Sequence, residues 1–239
     1  MQEFELESIK NDFQSFIGYS DEAFSLLVRH IHLVEQANKI TNITRINDIE
    51  SAMYLHAYDS LLGLKAIDEA IPGDFIDIGS GAGFPGIPLA LFCKRGATLI
   101  DSIKKKAAIL QSFVDELSLS NRVTVKAVRS EREARENPNH YAAVTVRAVS
   151  SLTSIMELAS PLLEKNGVLV AYKGPDVVSE LEEAKQAQST LGMEIVEIEH
   201  HSICKFDSQR FIVIVQKVSE PMIMLPRGEG KAQRKPLKY

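Results

Sequence analysis

Apolar residues recur at helical spacing through the first third of the chain, and after Pro72-Gly73 the rhythm changes to short apolar runs alternating with helical stretches. Phe4, Leu6, Ile9, Phe13, Phe16 and Ile17 predict a first helix, broken at Gly18. Ser20-Asp21 is a capping signal for a second helix, which carries Phe24, Leu27, Val28 and Ile31 on one face and ends near Lys39. Residues 41–46 are interrupted by polar positions and read as a loop. Asn47 or Asp48 then caps a third helix running through Tyr54, Tyr58 and Leu62.

Beyond Gly73 the strands predicted are Phe75 to Ile78, Ala97 to Ile100, Val123 to Val128, Ala143 to Val146 and Val168 to Tyr172. Helices are predicted between them from Pro85, from Lys104 to Leu117 and from Ser151 to Leu163, with a last one from Val177 to Leu191. Such alternation requires crossover helices and a mostly parallel sheet covered on both faces. Glu194 to Glu199 and Arg210 to Gln216 have no helix between them and form an antiparallel pair at one edge. That is the order expected of the Rossmann-like α/β fold of class I S-adenosylmethionine-dependent methyltransferases, which a plain dinucleotide-binding fold lacks, here with an N-terminal helical segment. The expected division is a helical extension over 1–70, a methyltransferase core over 71–218 and a basic tail over 219–239. The tail has Gly, Pro and charge but little apolar content, which predicts a mobile arm.

Composition narrows the class. With 45% hydrophobic residues in 239 the chain can bury a core, and a net charge of −5 argues against a protein that coats nucleic acid over its whole surface while leaving a local basic patch open. Cys93 and Cys204 stand apart, outside any CxxC pair, so neither a zinc site nor a disulfide framework is expected. No metal site is expected elsewhere. Glu3, Glu5 and Glu7 stand where a signal peptide is basic, and the longest apolar run, Ile87 to Cys93, is far short of a membrane span. A cytoplasmic protein with no membrane partner is the expectation.

The segment FIDIGSGAGFPGIP carries the chemistry. Gly79, Gly81 and Gly83 follow a strand directly and precede a helix with Pro85 and Pro88 in its first turn. Gly81, Gly83 and Gly86 also satisfy GxGxxG, the dinucleotide pattern, so an NAD(P)-dependent oxidoreductase is an alternative. Phe84 stands where the pattern set by Gly79 and Gly81 would place its third glycine, and this favours the methyl donor. Asp101 closes the second strand about 20 residues on, where an acid binds ribose hydroxyls or caps the next helix. Ser130-Glu131 follows the third strand, beside the adenine edge of a bound nucleoside or as a solvated first helical turn. Arg147 ends the fourth strand at the carboxyl edge of the sheet, as a ligand contact or paired with a surface acid. Lys173 ends the fifth and reads as a phosphate contact or an exposed lysine. His56 and Asp59 lie one helical turn apart and read, like Asn42, as local contacts.

Taken in order, NIT at Asn42 to Thr44, HAYDSL from His56, the glycine loop with FPGIPLA, LIDSIKKKAAIL from Leu99, RSE from Arg129, VRAVSSL from Val146, YKG from Tyr172 and the tail PRGEGKAQRKPL resemble one family over nearly the whole chain. It is the bacterial small-subunit ribosomal RNA guanine-N7 methyltransferases, RsmG or GidB. Ser130 stands where alanine is common in that family, and Lys104 where glycine is. The resemblance implies S-adenosyl-L-methionine as cofactor, held by Gly79, Phe84, Ser130-Glu131 and Arg147, with Gly81, Gly83 and Asp101 completing the site. It implies 16S ribosomal RNA or a small-subunit assembly particle as partner of a monomeric enzyme, and N7 of a guanosine as acceptor. Guanine N7 has a lone pair and no proton to lose, so no general base is expected and Arg147 is the one positioning residue. The tail cations Arg227, Lys231, Arg234, Lys235 and Lys238 suit a phosphate-binding arm or a solubilising end. A non-catalytic ribosome-binding module on the same fold is the remaining alternative.

Overall fold

A computed structural model of the chain describes residues 3–46 and 48–237, apart from the side chains of Glu3, Phe4, Glu5 and Cys204. The expectations placed on those four side chains, on Asn47 and on Lys238 lie outside the described residues. The predicted N-terminal helices form as α1 (Glu3–Phe13) and α2 (Asp21–Asn38). Ser20 caps α2, its hydroxyl accepting the Ala23 N–H at 3.0 Å. The buried stripe of α2 holds Phe24, Leu27, Ile31 and Val34, and also His30, which is fully buried. The third predicted helix runs as α3 (Ile49–Ala52), a π-helical stretch at Met53–Tyr58 and α4 (Asp59–Leu61), with Asp48 as its cap. A further short helix, α5 (Leu64–Asp68), is one turn long, too short for periodicity to reveal.

The sheet has seven strands in the order β3-β2-β1-β4-β5-β7-β6. Its members are β1 (Phe75–Ile78), β2 (Ala97–Ile100), β3 (Val123–Lys126), β4 (Tyr141–Arg147), β5 (Leu163–Lys173), β6 (Met193–Ile203) and β7 (Ser208–Lys217). The first five run parallel, and β7 runs antiparallel to both β5 and β6, as the missing helix between the last two strands predicts. The crossovers are α6 (Gly86–Phe92), α7 (Lys104–Glu116), α8 (Ser130–Glu136) and α9 (Leu152–Ala159), while α10 (Val177–Leu191) leads to β6. Strand order reverses between β1 and β4, the place where open α/β sheets bind ligands.

Several elements depart from expectation: α1 ends at Phe13, short of Phe16 and Ile17, and β6 runs on to Ile203. The helix predicted to reach Leu163 stops at Ala159, and Leu163 already belongs to β5. Leu162 and Leu163 are fully buried, and a continuously apolar run does not distinguish a buried helix from a buried strand.

The tail is the larger correction: its described part is docked, not mobile. Arg227 makes two hydrogen bonds, of 2.6 and 2.5 Å, to the buried carboxylate of Glu157 on α9, and Ala232 in α11 (Lys231–Arg234) is 2% exposed. A buried acid is costly unless paired, and composition alone does not show that one is waiting. The N-terminal helices share one apolar cluster with α6 and α7, and α9, α10 and the tail share the other.

Candidate active site

Strand β1 is buried throughout, and the chain leaves it through three residues with positive φ, Gly79 (+74°), Gly81 (+56°) and Gly83 (+93°). Gly79 is required on two counts, since a Cβ there would also lie 2.9 Å from Cγ2 of Val149. Beneath the turn sits Asp77, a residue the sequence pattern did not single out. It is fully buried, and burial raises its carboxyl to about 6. One oxygen accepts the Gly86 N–H at 3.2 Å and the other accepts the Thr145 hydroxyl at 2.8 Å. The first amide of α6 is therefore bound by the protein's own carboxylate. A dinucleotide fold uses that helix terminus to bind its diphosphate, and here the place is taken by negative charge. The only signal of this in the sequence was an acid inside a four-residue apolar strand.

At the carboxyl edge of β1, β2 and β3 lies a cleft of about 190 Å³. It brings together four of the predicted residues, Gly79, Asp101, Ser130 and Glu131, between apolar walls that include Ile78, Ile100 and Val128. Asp101 does not cap α7, whose cap position is Ile103. Its carboxylate instead accepts the Ile103 N–H at 2.8 Å and the Gly81 N–H at 3.3 Å, tying the glycine turn to β2. Glu131 is 5% exposed, so it is not a solvated first-turn acid.

Gly83 and Phe84 do not line this cleft. A Cβ on Gly83 would meet Ile87 and His30. The Phe84 ring packs between His30 and His56, at centroid distances of 4.6 and 4.7 Å, with the Arg147 guanidinium 5.5 Å from its centre.

Arg147 lines a second, larger cleft of about 580 Å³ together with His56, Asp59, Tyr172, Lys173 and Arg210. The chain after β4 forms the partition: Ala148 and Ser150 face the larger cleft and Val149 the smaller. Ala148 holds a φ of +56°, a strained conformation for a residue with a Cβ. Asp59 is fully buried and receives two guanidinium groups, Arg147 at 2.9 Å and Arg210 at 2.7 Å. His56 joins them, its Nδ1 3.3 Å from Arg147 Nη2 and its Nε2 2.8 Å from the Thr44 hydroxyl. Burial, then the adjacent Arg147 charge, lower His56 to about 3, so the ring is neutral at physiological pH.

His56 and Asp59 are thus not a local helix pair, as their spacing suggests. Both reach across to β4, and the π-helical stretch helps, because the Leu55 carbonyl also accepts from Arg147 at 3.3 Å. Arg147 is paired, but with a buried acid at the mouth of a cleft. Lys173 is neither exposed nor unpaired, since it bonds Glu180 at 2.7 Å and the Ser150 carbonyl at 3.0 Å. Asn42 is exposed and lines neither cleft. Arg210 carries a site role the sequence does not show; it stands at the start of the predicted last strand, and nothing local marks it.

The family of rRNA small subunit methyltransferase G matches residues 23–210. The chain belongs to this family. Among relatives of that name, the one from Thermotoga sp. (strain RQ2) is 35% identical over 197 residues, 82% of this chain and 84% of the relative. The one from Clostridium botulinum (strain Alaska E43 / Type E3) is 30% identical over 240 residues, 99% of this chain and 95% of the relative.

Solved structures show the same fold. A geranyl diphosphate methyltransferase in complex with GPP and sinefungin superposes with a TM-score of 0.57 at 12% identity, covering 71% of this chain and 80% of that one. An S-adenosylmethionine-dependent O-methyltransferase from Thermotoga maritima gives 0.51 at 18% identity, covering 68% and 66%.

The chain is a methyltransferase of the class I fold with S-adenosylmethionine as its cofactor. The residues present fit that group. Asp101 after β2 and Glu131 in the first turn of α8 would accept hydroxyl and amine hydrogens, apolar walls would face a purine, and the first amide of α6 is taken by Asp77. As a member of the rRNA small subunit methyltransferase G family, it takes neither the oxidoreductase alternative nor the non-catalytic one.

Proposed function

We propose that this enzyme methylates N7 of a guanosine in 16S ribosomal RNA, acting as a monomer in the cytoplasm on the RNA or on a small-subunit assembly particle. In this reading Gly79, Asp101, Ser130 and Glu131 contact the donor, Gly81 and Gly83 shape the turn it lies on, Phe84 packs behind that turn beside Arg147, and Arg147 meets the donor's methionine end and positions the acceptor. S-adenosylmethionine supplies a methyl group on a sulfonium leaving group.

The observation that carries the acceptor is the state of the two central ionisable groups of the larger cleft. His56 is neutral with both ring nitrogens engaged, and both oxygens of Asp59 are bound to arginines. Neither is placed to remove a proton, which suits a lone-pair acceptor such as guanine N7. Arg147 and Arg210 set two positive charges against one carboxylate, and the surplus favours a nucleotide phosphate or the donor's carboxylate. Gly79 and Val149 mark where the two clefts approach, so a donor in the smaller presents its reactive end to the larger. Alignment of that kind is worth about 7–11 kcal/mol of barrier. A guanine edge in a single-stranded loop reaches such a cleft where a duplex does not.

The test is to incubate the enzyme with methyl-labelled S-adenosylmethionine and small-subunit RNA from cells lacking it, then map the modified base. N7-methylguanosine in 16S RNA is expected. Label on an exocyclic nitrogen, or on RNA of the large subunit, overturns the acceptor.

A further inference from the structure

The docked tail meets the donor cleft through Gly230 and Gln233. The Gly230 N–H donates to Oε1 of Glu131 at 2.5 Å, while the Ser130 hydroxyl lies 3.3 Å from Oε2. Gly230 has a φ of +69°, a left-handed conformation that suits a residue without a Cβ. Three residues on, Gln233 stands in the lining of the small cleft beside Asp101, Ser130 and Glu131. The segment is held from both sides. Arg227 grips Glu157 through two hydrogen bonds and bonds the Lys235 carbonyl at 3.0 Å, closing the tail on itself. The Ala232 carbonyl accepts from the Ser154 hydroxyl on α9 at 2.9 Å, and Glu229 faces Arg129 and Arg135 at 4.0 and 3.7 Å.

We propose that the tail segment 227–235 is the outer wall of the donor's nucleoside site, with Gly230 orienting Glu131 and Gln233 contacting the nucleoside. The proposal rests on the donor reading above and adds residues to it. Two observations favour a wall over a plug. With the tail docked, the cleft still encloses about 190 Å³. The contact also fixes the Glu131 carboxylate where it faces the cleft, and a side chain held beforehand loses less freedom when a ligand arrives. Arg227 acts at a distance, as the pin that keeps the wall in place; it is a positioning residue.

Coupling of this kind is reciprocal: if the tail improves donor binding, a bound donor analogue must hold the tail down. Two measurements on the full chain test it. Calorimetric titration with S-adenosylhomocysteine and with adenosine is run on the unsubstituted protein, Arg227→Ala and Gln233→Ala, with thermal unfolding as the check that each is folded. Arg227→Ala is expected to weaken both ligands by about tenfold, and by the same factor, because the tail touches only the part they share. Gln233→Ala, at an exposed position, is expected to weaken both by about threefold with unfolding unchanged.

Limited trypsin digestion is the second measurement, and saturating S-adenosylhomocysteine is expected to slow cleavage at Lys231 and Arg234. Tighter binding in Arg227→Ala, or faster tail cleavage with ligand, makes the tail a plug and overturns the proposal. Unchanged affinity in both variants overturns it equally. Absence of S-adenosylhomocysteine binding by the unsubstituted chain is a different failure, because it removes the donor reading itself.

Discussion

The two clefts at the carboxyl edge of the sheet are built in different ways. The smaller draws its polar groups from three successive turns, after β1, β2 and β3, with Gln233 added by the tail, and ties the turns with short links such as Gly81 to Asp101, 20 residues apart. Each turn contributes its residue because the fold brings every parallel strand to the same edge. The larger depends on Asp59, a buried acid from the N-terminal helices, and on arginines 88 and 151 residues away in β4 and β7. Its charges exist as a set only because those helices dock against the sheet. One cleft comes with the architecture, and the other with an added segment. If the smaller cleft takes the donor and the larger the acceptor, as proposed, donor chemistry belongs to the common core and acceptor chemistry rests on what is packed against it.

The comparison is most exposed at Asp59. Replacing it by alanine leaves Arg147 and Arg210 facing each other without their counter-charge. Breaking a buried pair from one side costs about 3–5 kcal/mol, so a fall of that order is expected in denaturant unfolding. A loss below about 1 kcal/mol, the worth of a surface pair, shows that the N-terminal helices are not tied to the sheet by charge.

Acid titrates the two regions in opposite directions. His30 and His56 are lowered by burial to about 4 and about 3, so their contribution is complete above pH 6.5 and is lost as pH falls toward those values. Asp77 beneath the small cleft is raised from 3.8 to about 6, so its contribution is greatest in acid and is lost as pH rises through that interval. Between pH 4 and 6 the unfolded chain takes up about two protons on the histidines, and the folded chain holds about one on Asp77. These groups therefore make stability fall on acidification by about 1.4 kcal/mol per pH unit, measured by unfolding at pH 4.5, 5.5 and 7. A flat or rising profile over that range breaks this account.

Gly79→Ala probes the small cleft alone. A φ of +74° and a Cβ 2.9 Å from Val149 predict local strain of about 1–3 kcal/mol. In calorimetry, S-adenosylhomocysteine affinity is expected to fall about tenfold or more. Equal affinity shows that the turn does not approach the ligand.

The smallest effect is expected at Thr44→Val, which removes the hydroxyl partner of His56 and costs about 1 kcal/mol of stability with donor affinity unchanged.

Much of the fold could be read along the chain because its signals are local. Strand and helix periods, the cap at Ser20 and the three glycines depend on neighbours within a few residues. The boundary between α9 and β5 was not legible, since Leu162 and Leu163 are buried in either conformation. Asp77 was passed over because its partners, Gly86 and Thr145, lie 9 and 68 residues away. His56 and Asp59 were noticed together for their spacing, but their partner Arg147 lies beyond the reach of any periodicity. The tail misled for the same reason: its charge was visible in the sequence, and the buried Glu157 that receives it was not.

What the sequence by itself determined is the alternation of strands and helices, the antiparallel edge and the glycine turn after the first strand. Each follows from side-chain size, backbone freedom or spacing along one segment. The tertiary structure alone decided which charges meet. Arginine has the same charge at a surface, on a phosphate or against a buried carboxylate. Only the packing that excludes water around Asp59, Glu157 and Glu131 selects their partners, because burial makes an unpaired charge costly.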